Sequence, residues 1–232
     1  TYTDPEETKE MTEPLEGNFD GIGIQFNVLT DTVYVIQVIP GGPSEKVGLV
    51  AGDRIVQVND TVIAGVKMKT TDIMKRLRGP KGSEVWVKVK RNGESELLDF
   101  TIVRGKIPVH SIDAVYMADK SIGYIKLNRF AASSTDEFKE ALKTLDKKGM
   151  KKLIFDLQGN GGGYLNVAIE LADEFLARGK QIVYTQGSKQ KRQDAISTAQ
   201  GSFEDGELVI LVDESSASAS EILSGAVQDW DR

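Results

Sequence analysis

The chain has 232 residues, 40% of them hydrophobic and 28% charged, enough to bury one large or two small cores and too apolar for disorder to be its main theme. Its 29 basic and 35 acidic residues leave a formal charge of -6, and no run of Lys and Arg marks one face, so the footprint of a nucleic-acid binder is missing. With no cysteine and a single histidine, His110, there is no cysteine nucleophile, no multi-cysteine zinc site and no multi-histidine metal cage, and a Ser-His pair would have to use His110.

Residues 1–16 are polar, acidic and interrupted by proline, with a short helix expected around residues 6–11; they read as an entry segment. From Gly17 the texture changes. Residues 21–26, 33–39 and 54–59 are short runs rich in β-branched side chains and bounded by Gly, Pro and Asp, which are strand signals. A helical pattern over 71–77 stops at Gly79-Pro80. Strands over 84–90 and 97–103 flank an Asn92-Gly93 turn. This is a small β-rich module with one principal helix. Beyond Arg104-Gly105-Lys106, strands and helices alternate. Strands fit 109–117 and 123–127, and a helix fits 135–147, where Phe138, Ala141, Leu142 and Leu145 recur at helical spacing. A strand over 152–157, a glycine-rich loop and a helix over 164–177 follow. A strand over 182–185, a polar stretch that reads as a mobile loop over 188–200, a strand over 208–212 and a helix to Trp230 finish the chain. Alternating strands and helices predict an α/β domain built on βαβ units. No apolar run approaches the length of a membrane span, and no signal peptide is visible.

Three segments could carry chemistry. In Gly21-Ile22-Gly23-Ile24, backbone N–H groups of a glycine-containing loop lead straight into a strand; such a loop can hold a peptide's terminal carboxylate while the strand edge pairs with the peptide backbone. An ordinary glycine turn explains the same four residues. In Asp156-Leu157-Gln158-Gly159-Asn160-Gly161-Gly162-Gly163-Tyr164, glycines at a strand-to-helix junction leave N–H groups free to meet negative charge. A phosphate loop would need Lys and Ser or Thr where Gly162, Gly163 and Tyr164 stand, and a dinucleotide fingerprint would need glycine in place of Tyr164. What remains is an oxyanion hole or a tight packing turn. In Asp213-Glu214-Ser215-Ser216-Ala217-Ser218-Ala219-Ser220-Glu221-Ile222-Leu223, a serine on a strand-to-helix turn could present its hydroxyl to a carbonyl. A capping box formed by Ser218 and Glu221 is the plain alternative.

The run from Pro40 to Asn59, with its Gly52-Asp53-Arg54-Ile55-Val56-Gln57-Val58 segment, resembles the PDZ signature. That module, followed by Ile122-Gly123-Tyr124-Ile125-Lys126-Leu127, the glycine-rich loop and Ser216-Ala217-Ser218-Ala219-Ser220-Glu221-Ile222 in that order, resembles the carboxy-terminal processing (tail-specific) proteases. The likeness covers nearly all of the chain from Gly17 onward. It implies an α/β fold with a crotonase-like βαβ catalytic domain over 106–232, an inserted or preceding PDZ domain over 17–105, and a remnant of a helical cap over 1–16. By position in the motif it assigns Ser218 as nucleophile, backbone N–H groups at Gly161 or Gly162 and at Ala219 as oxyanion donors, and Glu221 and Asp229 as supporting acids. The peptide groove would be formed by Gly21, Ile22, Gly23, Ile24 and Phe26, with Arg78 and Lys81 beside its helix as sensors of a bound carboxylate.

The resemblance further implies a serine endopeptidase that takes protein substrates by a free C-terminus and needs neither cofactor nor metal. Its general base is a lysine of depressed pKa. No lysine follows Lys191, so the expectation is a chain cut at both ends and inactive alone. A pseudoprotease that keeps only the PDZ groove is the alternative function, and an α/β domain that binds small apolar ligands is a third. Expected partners are polypeptides, with an adaptor or a second copy of the chain as further candidates. An exported protein of the periplasm or cell envelope is the expected location, with which the absence of cysteine is compatible.

Overall fold

The computed structural model describes residues 8, 12, 13, 15–199 and 201–232. Two compact units emerge: Asn18–Pro108, and a second unit that joins the chain up to Gly17 with Val109–Arg232. Of the helix expected around residues 6–11, only Thr8 is among the described residues, and it is helical; the rest lies outside them.

The first unit is β-rich. It runs β1 (Asn18–Gly21), β2 (Ile24–Leu29), β3 (Thr32–Val38), α1 (Pro43–Lys46), β4 (Arg54–Val58), β5 (Thr61–Val62), α2 (Thr70–Leu77), β6 (Glu84–Lys90), β7 (Leu98–Val103) and β8 (Gly105–Pro108). An antiparallel sheet in the order β2-β3-β4-β6-β7 carries the core, and β5 pairs with β4. Strand alternation explains which side chains go inside: in β6, Val85, Val87 and Val89 are buried while Glu84, Trp86 and Lys88 are not. Helix α2 contributes Ile73 and Leu77, four residues apart and hence on one face, to the same core. The Asn92-Gly93 turn sits within the longer connection between β6 and β7, where Gly93 takes a φ of +90°. Strands β1 and β8 pair antiparallel, Asn18 opposite Pro108. Neither was expected from the sequence, because four residues containing Gly or Pro show no alternation.

The second unit runs β9 (Ile112–Met117), β10 (Ile122–Leu127), α3 (Ser134–Asp146), β11 (Lys152–Asp156), α4 (Leu165–Asp173), β12 (Gln181–Gly187), β13 (Gln190–Ile196), β14 (Glu207–Leu211) and α5 (Ala219–Asp229). Its sheet has the order β14-β11-β10-β9, parallel for β10, β11 and β14 and antiparallel for β9. Ile125, Leu127, Leu153 and Phe155 point from the sheet to helices α3, α4 and α5, and Phe138, Phe155 and Phe175 meet with ring centroids 5.1 to 5.7 Å apart. Helix α4 stops four residues before the expected end. Past it, the Glu174 carbonyl accepts from the Phe203 N–H (2.9 Å) and the Phe175 carbonyl from Arg232 Nε (2.8 Å). The stretch expected as a mobile loop is instead β13, hydrogen-bonded to β12 through the two-residue turn Ser188-Lys189. Among the described residues no helix is long and apolar enough to cross a membrane.

Candidate active site

Strands β11 and β14 are parallel neighbours, so the loops leaving their carboxyl ends lie side by side. These are the glycine-rich and serine-rich loops. Four hydrogen bonds stitch them together: Gly159 N–H to Asp213 Oδ1 (2.9 Å), Ser216 Oγ to the Leu157 carbonyl (2.8 Å), Ala217 N–H to the Asn160 carbonyl (3.1 Å) and Ser220 Oγ to the same carbonyl (2.9 Å). Asn160 is fully buried; its Nδ2 donates to the Leu127 carbonyl (2.9 Å) and its Oδ1 accepts from Gly162 N–H (2.9 Å). Bonds from Gly159 N–H, and after them from Ser215 N–H and Ser216, outweigh desolvation and hold the Asp213 carboxyl below the usual carboxylate range.

A second carboxylate, Asp156, ends β11 and fixes the entry to the glycine-rich loop. Its Oδ1 accepts from Gln158 N–H (2.8 Å); its Oδ2 accepts from the Tyr124 hydroxyl and from Lys126 Nζ (3.2 Å), which also reaches the Gln158 carbonyl (3.0 Å). Burial alone would raise its pKa, but these donors prevail and lower it. Tyr124, desolvated and bonded to that carboxylate, is pushed up to about 12.

Ser218 is exposed at the N-terminus of α5 with φ +57° and ψ -110°, a backbone conformation that non-glycine residues seldom adopt. The Glu221 carboxylate accepts its N–H at 2.7 Å, one half of the capping box expected from the sequence. Ala219 N–H, at the first turn of α5, has no acceptor among the described residues, and neither has Gly161 N–H. Gly162 packs directly on this turn: a Cβ there would stand 2.8 Å from Ser218 Cβ and 3.0 Å from Ala219 N, and its φ of +104° favours glycine in any case. Its N–H, however, is turned to Asn160 Oδ1. Of the two alternative oxyanion glycines, Gly162 therefore serves as the packing residue and Gly161 keeps an open donor.

Two expected residues lie elsewhere. Asp229 is exposed at the far end of α5, about 15 Å along the axis from Ala219 at the usual rise per residue, with no hydrogen bond or ion pair among the described residues. It is not brought to Ser218. His110 faces Glu137 Oε1 at 3.8 Å and is largely exposed, so no Ser-His pair is built. The sequence assigns no role to Asn160, Asp213, Ser216 and Ser220, although all four lie inside the glycine-rich and serine-rich motifs.

In the β-rich unit, Phe19, Gly21, Ile22, Gly23, Ile24, Phe26, Met74, Leu77 and Arg78 line a cavity of about 100 Å³ between β2 and α2. All five expected groove residues are among them. The N–H groups of Ile22 and Gly23 have no acceptor among the described residues, while their carbonyls are taken by Ser44 N–H (2.9 Å) and Ile39 N–H (3.0 Å). Two such donors, on buried residues and without an acceptor among the described residues, suit an anionic ligand. The Arg78 guanidinium stacks over the Phe19 ring at 4.5 Å on the cavity wall, whereas Lys81 is absent from the wall and gives its N–H to Asp20 Oδ2 (3.0 Å). The wall beyond α2 is held by Arg104, whose guanidinium donates to the carbonyls of Leu77, Arg76 and Glu84 (2.9 Å each) and to Ser83 Oγ (3.0 Å).

The sequence matches the profile of peptidase family S41 over residues 121–232 and that of the PDZ domain over 21–102. It is 35% identical over 234 residues to a probable CtpA-like serine protease of Staphylococcus aureus (strain N315), covering all of this chain and 46% of the relative. Over 232 residues it is 32% identical to a probable CtpA-like serine protease of Staphylococcus saprophyticus, with the same coverage. The chain thus spans about half the length of the curated relatives it matches. Among solved structures it is similar to a photosystem II D1 C-terminal processing protease, at 27% identity and a TM-score of 0.50, over 98% of this chain and 62% of that one. The chain thus resembles the CtpA-like serine proteases, with a segment that matches peptidase family S41 preceded by a segment that matches the PDZ domain.

Proposed function

We propose that the protein to which this chain belongs is a serine endopeptidase that binds the free C-terminus of a polypeptide at its PDZ groove and cuts the chain at Ser218. The reading is carried by one observation: an exposed serine, held in a strained turn at a helix N-terminus beside an unengaged N–H, on a loop stitched to a glycine-rich loop. Ser218 Oγ attacks the substrate carbonyl and passes its proton to a general base, for which the resemblance implies a lysine. The Ala219 and Gly161 N–H groups face the charge that develops on the carbonyl oxygen. The amine product leaves with the proton, and water then releases the acyl group from Ser218. In the PDZ unit, the open Ile22 and Gly23 N–H groups take the terminal carboxylate and the cavity takes its apolar side chain. We place this work in the cell envelope, a reading that rests on the resemblance alone.

The test uses the full-length protein and an unstructured protein substrate with an apolar free C-terminus. Ser218→Ala is expected to abolish cleavage, while a fluorescent C-terminal peptide binds with unchanged Kd. Amidating the terminus of the substrate lowers both binding and cleavage. Full cleavage by the Ser218→Ala protein overturns the reading, and binding without any cleavage by the wild-type protein establishes the scaffold alternative.

A further inference from the structure

We infer that the groove between α4 and the β12–β13 hairpin is a subsite for a bulky apolar side chain of the polypeptide substrate, within three residues of the bond cut at Ser218. The inference rests on the peptidase reading of Ser218 and gives it a specificity.

The groove follows from two periodicities. Leu165 and Ile169 stand four residues apart and share one face of α4. In the hairpin, Val183 pairs with Ala195 and Thr185 with Gln193, so these four side chains share the opposing face. Together with Asp194 these six residues line a cavity of about 220 Å³. That exceeds the ~150 Å³ of an apolar cavity able to take up benzene. Leu, Met, Phe or Tyr fits it; Ala leaves it mostly empty. Leu165 is 40% exposed, a large apolar side chain left uncovered on the first turn of its helix.

Chemistry sorts the candidates further. Leu165, Ile169, Val183 and Ala195 supply apolar walls, while Thr185 and Gln193 can meet a phenol hydroxyl. Asp194, opposite Tyr184, turns its side chain to the other face of the hairpin and pairs there with Arg192 at 2.6 Å, so the groove offers no charged partner and a substrate carboxylate would enter against apolar surface at a cost. Position ties the groove to the cut. Leu165 follows three residues after Gly162, which packs on Ser218. Three residues span at most about 11 Å, and an extended substrate advances about 3.3 Å per residue.

The test is cleavage, by the full-length protein, of unstructured peptide libraries randomised at the three positions on each side of the cut, read by mass spectrometry. Wild-type protein is expected to prefer Leu, Met, Phe or Tyr over Ala about tenfold or more at one of these positions, with Asp and Glu least favoured there. Ala195→Leu fills the groove and lowers that ratio about tenfold, leaving the profile at the other positions in place. Leu165→Ala changes an exposed residue, adds no volume and lowers the same ratio, so a folding defect in the first variant does not spare the proposal. Wild-type cleavage with no such preference, or a preference that neither folded variant alters, overturns the subsite and leaves the peptidase reading standing; this is also the result expected if the groove holds a small apolar molecule or a second copy of the chain. Failure of the wild-type protein to cut any peptide sinks the peptidase reading and the subsite with it.

Discussion

Gly162→Ala changes no functional group, yet it should cripple the site. On the present backbone the new methyl carbon would stand 2.8 Å from Ser218 Cβ, 2.9 Å from the Ala217 carbonyl oxygen and 3.0 Å from Ala219 N. All three are well inside the separation of about 3.5 Å at which attraction turns to repulsion. Crowding of this kind costs about 1–3 kcal/mol, and a side chain at φ +104° adds about 1–3 kcal/mol. Taking about 3 kcal/mol and about 3 °C per kcal/mol for a unit of this size, the unfolding midpoint of the peptidase unit falls by about 9 °C. Under the proposed peptidase function, relief by moving Ser218 and Ala219 would displace the nucleophile relative to its oxyanion donor, and misplacement approaching 1 Å costs about 100-fold in kcat/KM. Gly161→Ala is the internal control for stability, since a Cβ there meets nothing within 4 Å and its φ is not left-handed; its midpoint should stay within about 3 °C of wild type. Calorimetry of the full-length variants together with a peptide cleavage assay reads both quantities. Equal midpoints for the two alanine variants would refute the claim that Gly162 is selected by close approach to Ser218.

Arg104→Met removes a buried guanidinium that satisfies three carbonyls and one hydroxyl around the end of α2. Stranding those acceptors should cost the β-rich unit about 2–4 kcal/mol in a urea titration and weaken C-terminal peptide binding several-fold; an unchanged midpoint and Kd would show that α2 does not depend on this contact. Lysine should not rescue it, having no planar fork to reach four acceptors at once. Acid dependence follows from Asp156 and Asp213, both held below their usual pKa. A depressed native pKa contributes stability that is fully present above the unfolded value of about 3.9 and is lost as pH falls through the native one. Thermal midpoints of the peptidase unit should therefore owe nothing of their change between pH 7 and pH 5 to these groups. Below about pH 4 they should fall, less steeply in Asp156→Asn. A steeper acid limb in that variant contradicts the assignment.

Much of the fold is written in local patterns. The β-branched runs at β3, β4 and β6, the apolar run at β11 and the helical stripe Phe138, Ala141, Leu142 and Leu145 declare themselves because burial restricts which residues can stand there. Elements that exist through partners far along the chain do not. Strands β1 and β8 are separated by the whole PDZ core and hold each other. Strand β13, nearly all exposed, carries no alternation to read and is fixed by pairing with β12. The site divides the same way. Ser218 and the glycine triplet stand out by composition and motif, but the hub at Asn160 looked like one more loop residue. Its value comes from Leu127 and Ser220, which the sequence places 33 and 60 residues away. Asp229 is expected at the site only because it matches an acidic position of the family the sequence resembles, and no contact among the described residues gives it a part at Ser218.

The strained turn at Ser218 explains why so many bonds converge there. A residue at φ +57° and ψ -110° carries about 1–3 kcal/mol of backbone strain and persists only where its surroundings over-determine it. On one side Ala217 N–H is tied to the Asn160 carbonyl; on the other Ser220 Oγ reaches the same carbonyl and Glu221 holds the Ser218 N–H. Opposite lies Gly162, without a side chain and anchored by its own N–H to Asn160 Oδ1. A single buried side chain thus governs the glycine that packs on the serine, while its backbone carbonyl governs both flanks of the serine turn. The two loops cannot relax independently, because any motion that frees Ser218 from strain breaks bonds to Asn160 that are buried and hard to replace with water. Rigidity of this kind keeps an exposed hydroxyl and the open Ala219 N–H in fixed register, which is what electrostatic stabilisation of a transient oxyanion demands.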